Sequence, residues 1–266
     1  MDLSRCAIML ERESVDTVKA DGRDAELWLR FPGAKRLTPK LIKHLASGLL
    51  VATLRDTFLV TAGHVADRMD GQARLSFRSD KGRRSSLRLS ALASGGRRRL
   101  EWTRVRHADV AALRISAVPA ALRGRFLPAS LLPTSTAAPT GEIELTIVGF
   151  PLGLASETHF RPIAKRAHPA SGMLRLCENE GQEPADFFLL DQPSVGGYSG
   201  APVFVLPQLA LTDEGEVTIV NARCVGIVSR TISDDMGGQF AAVVPAAAIH
   251  RALAKAKARR GPSARH

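Results

Sequence analysis

From Ser47 to Pro245 this chain of 266 residues is a succession of short apolar runs broken by turn residues, without long helical periodicity between them. Strands at that spacing predict an all-β barrel or sandwich. Gly48 to Leu54 and Phe58 to Ala62 flank Arg55-Asp56-Thr57 as a hairpin would, and Ala73 to Phe77, Ser86 to Leu92 and Val110 to Ile115 continue the series. The stretch from Ser116 to Gly141 is rich in Ala, Pro and Ser and reads as a linker. A second series then runs through Glu142 to Val148, His159 to Ala164, Phe187 to Leu190, Pro202 to Val205, Val217 to Val220, Arg223 to Ser229 and Phe240 to Val244. After Pro245 the period turns helical, with Ala246, Ile249, Leu253 and Ala254 as a buried stripe. Ahead of all this, Cys6 to Leu10 reads as a strand, and Thr38-Pro39 before Leu41, Ile42 and Leu45 as a short capped helix. The expected organisation is an N-terminal extension (1–46), a first β unit (47–125), a linker (126–141), a second β unit (142–245) and a C-terminal helix with a basic tail (246–266).

Three peptides at the edges of these runs carry chemistry. They are Thr61-Ala62-Gly63-His64-Val65, Ala108-Asp109-Val110-Ala111-Ala112-Leu113 and Gly196-Gly197-Tyr198-Ser199-Gly200-Ala201-Pro202-Val203. His64 ends an apolar strand, with small neighbours that leave room around its ring. Asp109 begins another strand, where aspartate is otherwise rare. Taken singly, each is more simply a turn or strand-end residue. Ser199 follows glycines able to adopt positive φ, which lets successive N–H groups converge on one point, so Gly197 and Ser199 could form an oxyanion hole. Together the three imply acyl transfer: serine attacks a carbonyl, histidine takes its proton, and the carboxylate holds the imidazole. That chemistry requires no metal and no cofactor.

Net charge is +11, from 37 Lys and Arg against 26 Asp and Glu. The cations cluster at Arg83-Arg84, at Arg97-Arg98-Arg99 and in a tail with Lys255, Lys257, Arg259 and Arg260. A solvated basic surface explains this most simply, and electrostatic association with acidic partners or nucleic acid is the sharper alternative. No zinc-finger spacing or RNP-type aromatic motif accompanies it. The three cysteines, Cys6, Cys177 and Cys224, are odd in number and far apart, which favours reduced thiols. The first residues lack the layout of a signal peptide, and no run reaches the length of a membrane span. A cytoplasmic protein without a membrane span is the expectation.

The three motifs, in this order, resemble those of the trypsin-like (chymotrypsin-fold) serine peptidases, with a match that covers roughly Ser47 to Ala254 and a texture closer to bacterial intracellular-type members. The resemblance implies two antiparallel β-barrels with the active site in the cleft between them. His64 and Asp109 would come from the first barrel and Ser199 from the second, acting on a protein or peptide substrate. Two further stretches match. Gly226-Ile227-Val228-Ser229-Arg230-Thr231 resembles the strand that pairs with substrate, and the family's serine at the place of Ser229 hydrogen-bonds the catalytic aspartate. Gly237-Gly238-Gln239-Phe240 resembles a wall of the specificity pocket.

Departures from the family pattern are informative. Tyr198 stands where digestive members have an aspartate that pairs with a new N-terminus, and a phenol stays protonated to about pH 10. Activation by that cleavage is therefore not expected. Pro193 and Ser194 occupy the pocket floor and are uncharged, Asp191 lies just upstream, Thr231 narrows the entrance and Gly238 leaves one wall open. The expected substrate-binding residues are Ser194, Ser229, Thr231 and Gly238, with a preference for small or medium uncharged P1 residues. Other readings are a catalytically silent protease-fold binding module, a nucleic-acid-associated protein with an accessory protease, and an esterase using the same oxyanion chemistry.

Overall fold

A computed structural model describes residues 2–15, 17–20, 23–26, 28–29, 38–39, 41–93, 100–155, 160–177, 184–211, 217–233 and 238–258. The strands in chain order begin with β1 (Ala7–Val15), then the short pairs β2 (Thr17–Ala20) with β3 (Arg23–Glu26) and β4 (Trp28–Leu29) with β5 (Thr38–Pro39). Next come β6 (Leu41–Ala52), β7 (Thr57–Ala62), β8 (Arg74–Arg78), β9 (Arg84–Arg88), β10 (Thr103–Arg104), β11 (Val110–Ile115) and β12 (Leu127–Pro128). With β1 these seven form one sheet, ordered β10-β11-β7-β6-β1-β8-β9, with β12 parallel to β6.

The second sheet holds β13 (Leu145–Gly149), β14 (Ile163–Ala167), β15 (Leu174–Leu176), β16 (Ala185–Leu190), β17 (Pro202–Val205), β20 (Arg223–Ser233) and β21 (Gln239–Pro245). Its order is β14-β13-β17-β20-β21-β16-β15, and β18 (Gln208–Leu211) pairs with β19 (Val217–Val220) as a separate ribbon. The fold is thus all-β, with two antiparallel sheets. Among the described residues neither strand path closes into a complete barrel.

The hydrophobic pattern explains this layering. Ile8, Leu10, Leu50, Leu59, Leu75 and Phe77 fill the interior of the first sheet. Leu145, Ile147, Phe188, Val203 and Val243 fill that of the second. A third cluster, including Leu49, Val60, Val110, Phe204, Ile227, Val244 and Ile249, joins the sheets to each other and to the C-terminal helix. That helix, α2 (Ala246–Ala258), packs against β10, β11 and β20. Ala246, Ile249 and Leu253 are buried as the period predicts, whereas Ala254 faces solvent and Ala252 and Ala256 take its place.

The N-terminal part differs most from the sequence reading. Residues 41–46 are strand, not helix: they open β6 and pair with β1 along Val15↔Leu41 to Glu11↔Leu45. Leu41, Ile42 and Leu45 fit a helical stripe, but the long antiparallel ladder with β1 overrides that local preference. β1 itself lies inside the first sheet, between β6 and β8. Within the linker stretch, Leu127 and Pro128 add a short parallel pairing to β6. Residues Arg97 to Arg99, Gly237 and the basic tail beyond Ala258 lie outside the described residues.

Candidate active site

β7 ends at Ala62 and passes directly into a single helical turn, α1 (Gly63–Ala66), which carries His64. β11 runs antiparallel to β7 with Val110 opposite Ala62, so Asp109 arrives beside His64 from the neighbouring strand. Two hydrogen bonds fasten them. The His64 backbone N–H donates to Asp109 Oδ1 at 2.8 Å, and His64 Nδ1 meets Asp109 Oδ2 at 2.8 Å. From the second sheet, the fully buried Ser229 hydroxyl donates to the same Oδ2 at 2.5 Å. The Arg230 guanidinium stands 3.7 Å from that oxygen and lies over the Phe187 ring.

Asp109 is buried while His64 is about two-fifths exposed. Burial alone would raise the Asp109 pKa. The hydrogen bonds and charge of His64, with the Ser229 bond, outweigh it and hold the carboxyl at about 2. Asp109 is therefore ionised at neutral pH. A carboxylate fixed on Nδ1 selects the tautomer whose Nε2 is an acceptor, directed away from Asp109.

Ser199 sits in the loop between β16 and β17. Gly197 has φ of +97° and Gly200 of +84°. Both also lie against other chain segments. A Cβ at Gly197 would come within 2.4 Å of the Phe150 carbonyl oxygen, and one at Gly200 within 2.2 Å of Ser47 O and Thr61 Oγ1. Gly200 thus packs on β7 three residues before His64, which brings the serine loop to the His64 end of the first sheet. Gly196 does not take positive φ.

Four bonds set the path of the loop. Leu152 N–H donates to Gly196 O at 2.6 Å, Ser47 N–H to Ser199 O at 2.9 Å, and Gly200 N–H to Val228 O at 2.7 Å. The Ser47 hydroxyl donates to Gly197 O at 2.7 Å. Because a trans peptide directs C=O and N–H oppositely, anchoring Gly196 O on Leu152 turns the Gly197 N–H to the other side. Among the described residues, neither the Gly197 nor the Ser199 N–H has a protein acceptor. No hydrogen bond joins the Ser199 hydroxyl to His64 among those residues; such bonds are often long without substrate and tighten in the complex.

Ser47 and Leu152 are site residues that sequence reasoning missed. Ser47 is fully buried on β6 and accepts from Phe150 N–H at 2.9 Å while donating to Gly197. Leu152 carries a positive φ of 52° and is mostly exposed beside the loop. A serine within an apolar strand and a leucine after Phe150-Pro151 carry no local mark of this role.

In the pocket region, Thr231 Oγ1 donates to Ser194 O at 2.7 Å, and the two hydroxyls meet at 2.8 Å. The Lys165 ammonium donates to Pro193 O. Asp191 is engaged on the surface with His168, accepting its N–H at 2.8 Å. Gly238 is exposed immediately before β21, whose Gln239 pairs with Ser233 at the far end of β20. Tyr198 is buried, and burial raises its pKa further. Among the described residues no cluster of His, Cys, Asp and Glu is arranged to hold a metal ion.

The family model described as a trypsin-like peptidase domain matches residues 46–208, more than half of the chain. The chain belongs to the trypsin-like peptidase family. Two solved structures share the fold of this trypsin-like peptidase at low identity. The HtrA-type protease AlgW, solved with a decapeptide, aligns with a TM-score of 0.54 and 14% identity over 96% of this chain and 65% of its own. The chain thus spans a little under two thirds of AlgW. An inactivated protease paralogue of the scabies mite, S-I1, aligns with a TM-score of 0.53 and 13% identity over 98% of both chains. No curated protein sequence matches significantly. A trypsin-like fold shared by a protease and by an inactivated paralogue leaves activity to be argued from the site itself.

Proposed function

We propose that this trypsin-like peptidase is a serine endopeptidase. Ser199 Oγ attacks the scissile carbonyl as His64 Nε2 takes its proton. The tetrahedral oxyanion receives the Gly197 and Ser199 N–H groups. The same His64 proton passes to the leaving amine, and water, activated by His64, then hydrolyses the acyl-enzyme. Asp109 keeps His64 in the required tautomer and opposes the imidazolium charge. The observation that carries this reading is Asp109 clamped between His64 from its own sheet and Ser229 from the other. This arrangement has a use when Nε2 must face a nucleophile in the cleft.

A preference for small or medium uncharged P1 residues fits the pocket. Thr231 has one hydroxyl proton, committed to Ser194 O, so Ser194 must donate to Thr231. The pair offers a substrate only lone pairs and narrows the pocket, and Lys165 beside Pro193 opposes a basic side chain. The three free thiols fit a reducing compartment, the cytoplasm. No described helix is long and apolar enough to cross a membrane.

The alternative, a silent binding module, has one supporting observation: the Ser199 hydroxyl is not bonded to His64. A fluorophosphonate probe separates the two readings. Labelling of the wild type, abolished by Ser199→Ala and His64→Ala, supports the peptidase; an unlabelled wild type, with or without added peptide, supports the binding module.

A further inference from the structure

On the far side of the first sheet lies an open groove of about 780 Å³, lined by strands β1, β6, β8 and β9. Its β6 member, Lys43, lies six residues before Leu49, where the pairing of β6 with β7 begins, which sets the groove apart from His64. Six cations and two carboxylates face it. Half of the cations are already engaged. Glu11, nearly buried at its base, takes the Arg84 guanidinium on Oε1 and Lys43 at 3.3 Å on Oε2, and Ser76 also donates to Oε1 at 3.1 Å. Arg12 grips Asp70 with two bonds, at 2.8 and 2.9 Å.

The other three cations, Arg74, Arg83 and Arg88, are exposed, and among the described residues no carboxylate pairs with any of them. Arg74 and Arg88 are direct cross-strand partners in the β8–β9 ladder, and Arg78 lies opposite Arg84 further along it. Like charges directly opposite across a ladder destabilise it. Stacking two such pairs on one ribbon, with Glu11 already committed beneath and Glu13 the other carboxylate of the lining, leaves a surface of net positive charge that an incoming polyanion relieves.

We infer that this groove binds the phosphate backbone of double-stranded nucleic acid. Three features select that ligand. Five of the six cations are arginine, whose planar fork meets phosphate oxygens in pairs, better than an ammonium does. Among the described residues that line it there is no aromatic side chain on which an unpaired base could stack, which disfavours single strands. Those described residues also include no aliphatic anchor of the kind that dominates protein–protein interfaces, which disfavours an acidic protein segment. The net charge of +11 adds long-range attraction. A ligand seated there leaves the cleft free, so the groove is a tether independent of the peptidase reading.

The test is anisotropy of a labelled duplex, DNA in one series and RNA in another, titrated with the full chain over a range of salt. Wild type should bind at low salt with an affinity that falls steeply as salt rises. The variant R74Q/R83Q/R88Q should bind on the order of tenfold or more weakly. Its log–log salt slope should be smaller by about 3, roughly one unit for each phosphate that is no longer neutralised. Its melting temperature should equal or exceed that of wild type, because no carboxylate partner is orphaned by the change. The charge-matched variant R251Q/K255Q/K257Q, on α2, lowers the net charge equally and should weaken binding much less than the groove variant. Equal weakening in the two variants would show diffuse attraction and overturn the site. Tighter binding of a single strand or of polyglutamate than of either duplex would also overturn it.

Discussion

The Ser47 hydroxyl, on a strand of the first sheet, donates to the Gly197 carbonyl of the serine loop at 2.7 Å. It simultaneously accepts from Phe150 N–H, while the Ser47 backbone N–H holds Ser199 O. One buried residue therefore fixes both ends of the tripeptide that presents the proposed nucleophile and oxyanion donors. Family members with an aspartate at the place of Tyr198 stabilise this loop with an ion pair. Here a neutral hydroxyl joins the first sheet to the serine loop through Gly197 and to the segment after β13 through Phe150.

Ser47→Ala should accordingly impair the loop without touching His64 or Asp109. Leaving Phe150 N–H and Gly197 O unpaired in a buried site costs about 1–3 kcal/mol of stability. The rate of fluorophosphonate labelling should fall while its end point is kept, and peptide turnover should lose kcat rather than gain KM. A labelling rate equal to that of wild type would remove Ser47 from the machinery.

Asp109 links stability to acid pH. Its carboxyl, at about 2 in the fold against an ordinary 3.8, is depressed. A depressed acid stabilises the fold above its ordinary pKa, and that contribution is lost as pH falls from about 4 to about 2, about 2 kcal/mol in all. In Asp109→Asn this share of the acid-induced loss should be absent. Peptide turnover should also drop by on the order of 10⁴, because an amide no longer enforces the tautomer. Urea unfolding at stepped pH and a turnover assay check both statements; an unchanged acid limb would refute the first.

Ser229→Ala tests the second clamp on the same carboxylate. Losing a hydrogen bond to a buried charge costs about 1.5–3 kcal/mol. The Asp109 pKa should rise towards its ordinary value, so the acid loss of stability, which begins near pH 4 in both proteins, should be smaller and should end at higher pH than in wild type.

Thr231→Gly should widen the P1 pocket by removing both the branched side chain and its bond to Ser194. Peptides with Leu or Phe at P1 should gain on Ala peptides by roughly 1–3 kcal/mol per well-accommodated methylene, a 10- to 200-fold change in relative kcat/KM. A wild-type profile led by Arg, Lys, Asp or Glu would contradict the pocket assignment outright.

The residues legible in the sequence are those whose signal is local. The apolar runs flanking Arg55-Asp56-Thr57 form the β6–β7 hairpin, with Thr53 N–H bonded to Asp56 O at 2.8 Å. His64, Asp109 and Ser199 stand out because each interrupts a strand edge with a residue type or glycine context that strands avoid. Leu41 to Leu45 misled, because so short an apolar pattern satisfies a helical stripe and a strand alike. Ser47 was invisible because nothing beside it differs from an ordinary strand serine.

The sequence by itself determined the all-β class, the two strand series, the C-terminal helix and the order of the three motifs, since periodicity and turn chemistry act over a few residues. Only the tertiary structure decided that β1 pairs with β6 inside the first sheet, and that Ser47 bridges Gly197 and Phe150. Those relations depend on strand register and sheet packing. A hydroxyl finds its partner only after the whole apolar framework has brought distant backbone groups within about 3 Å.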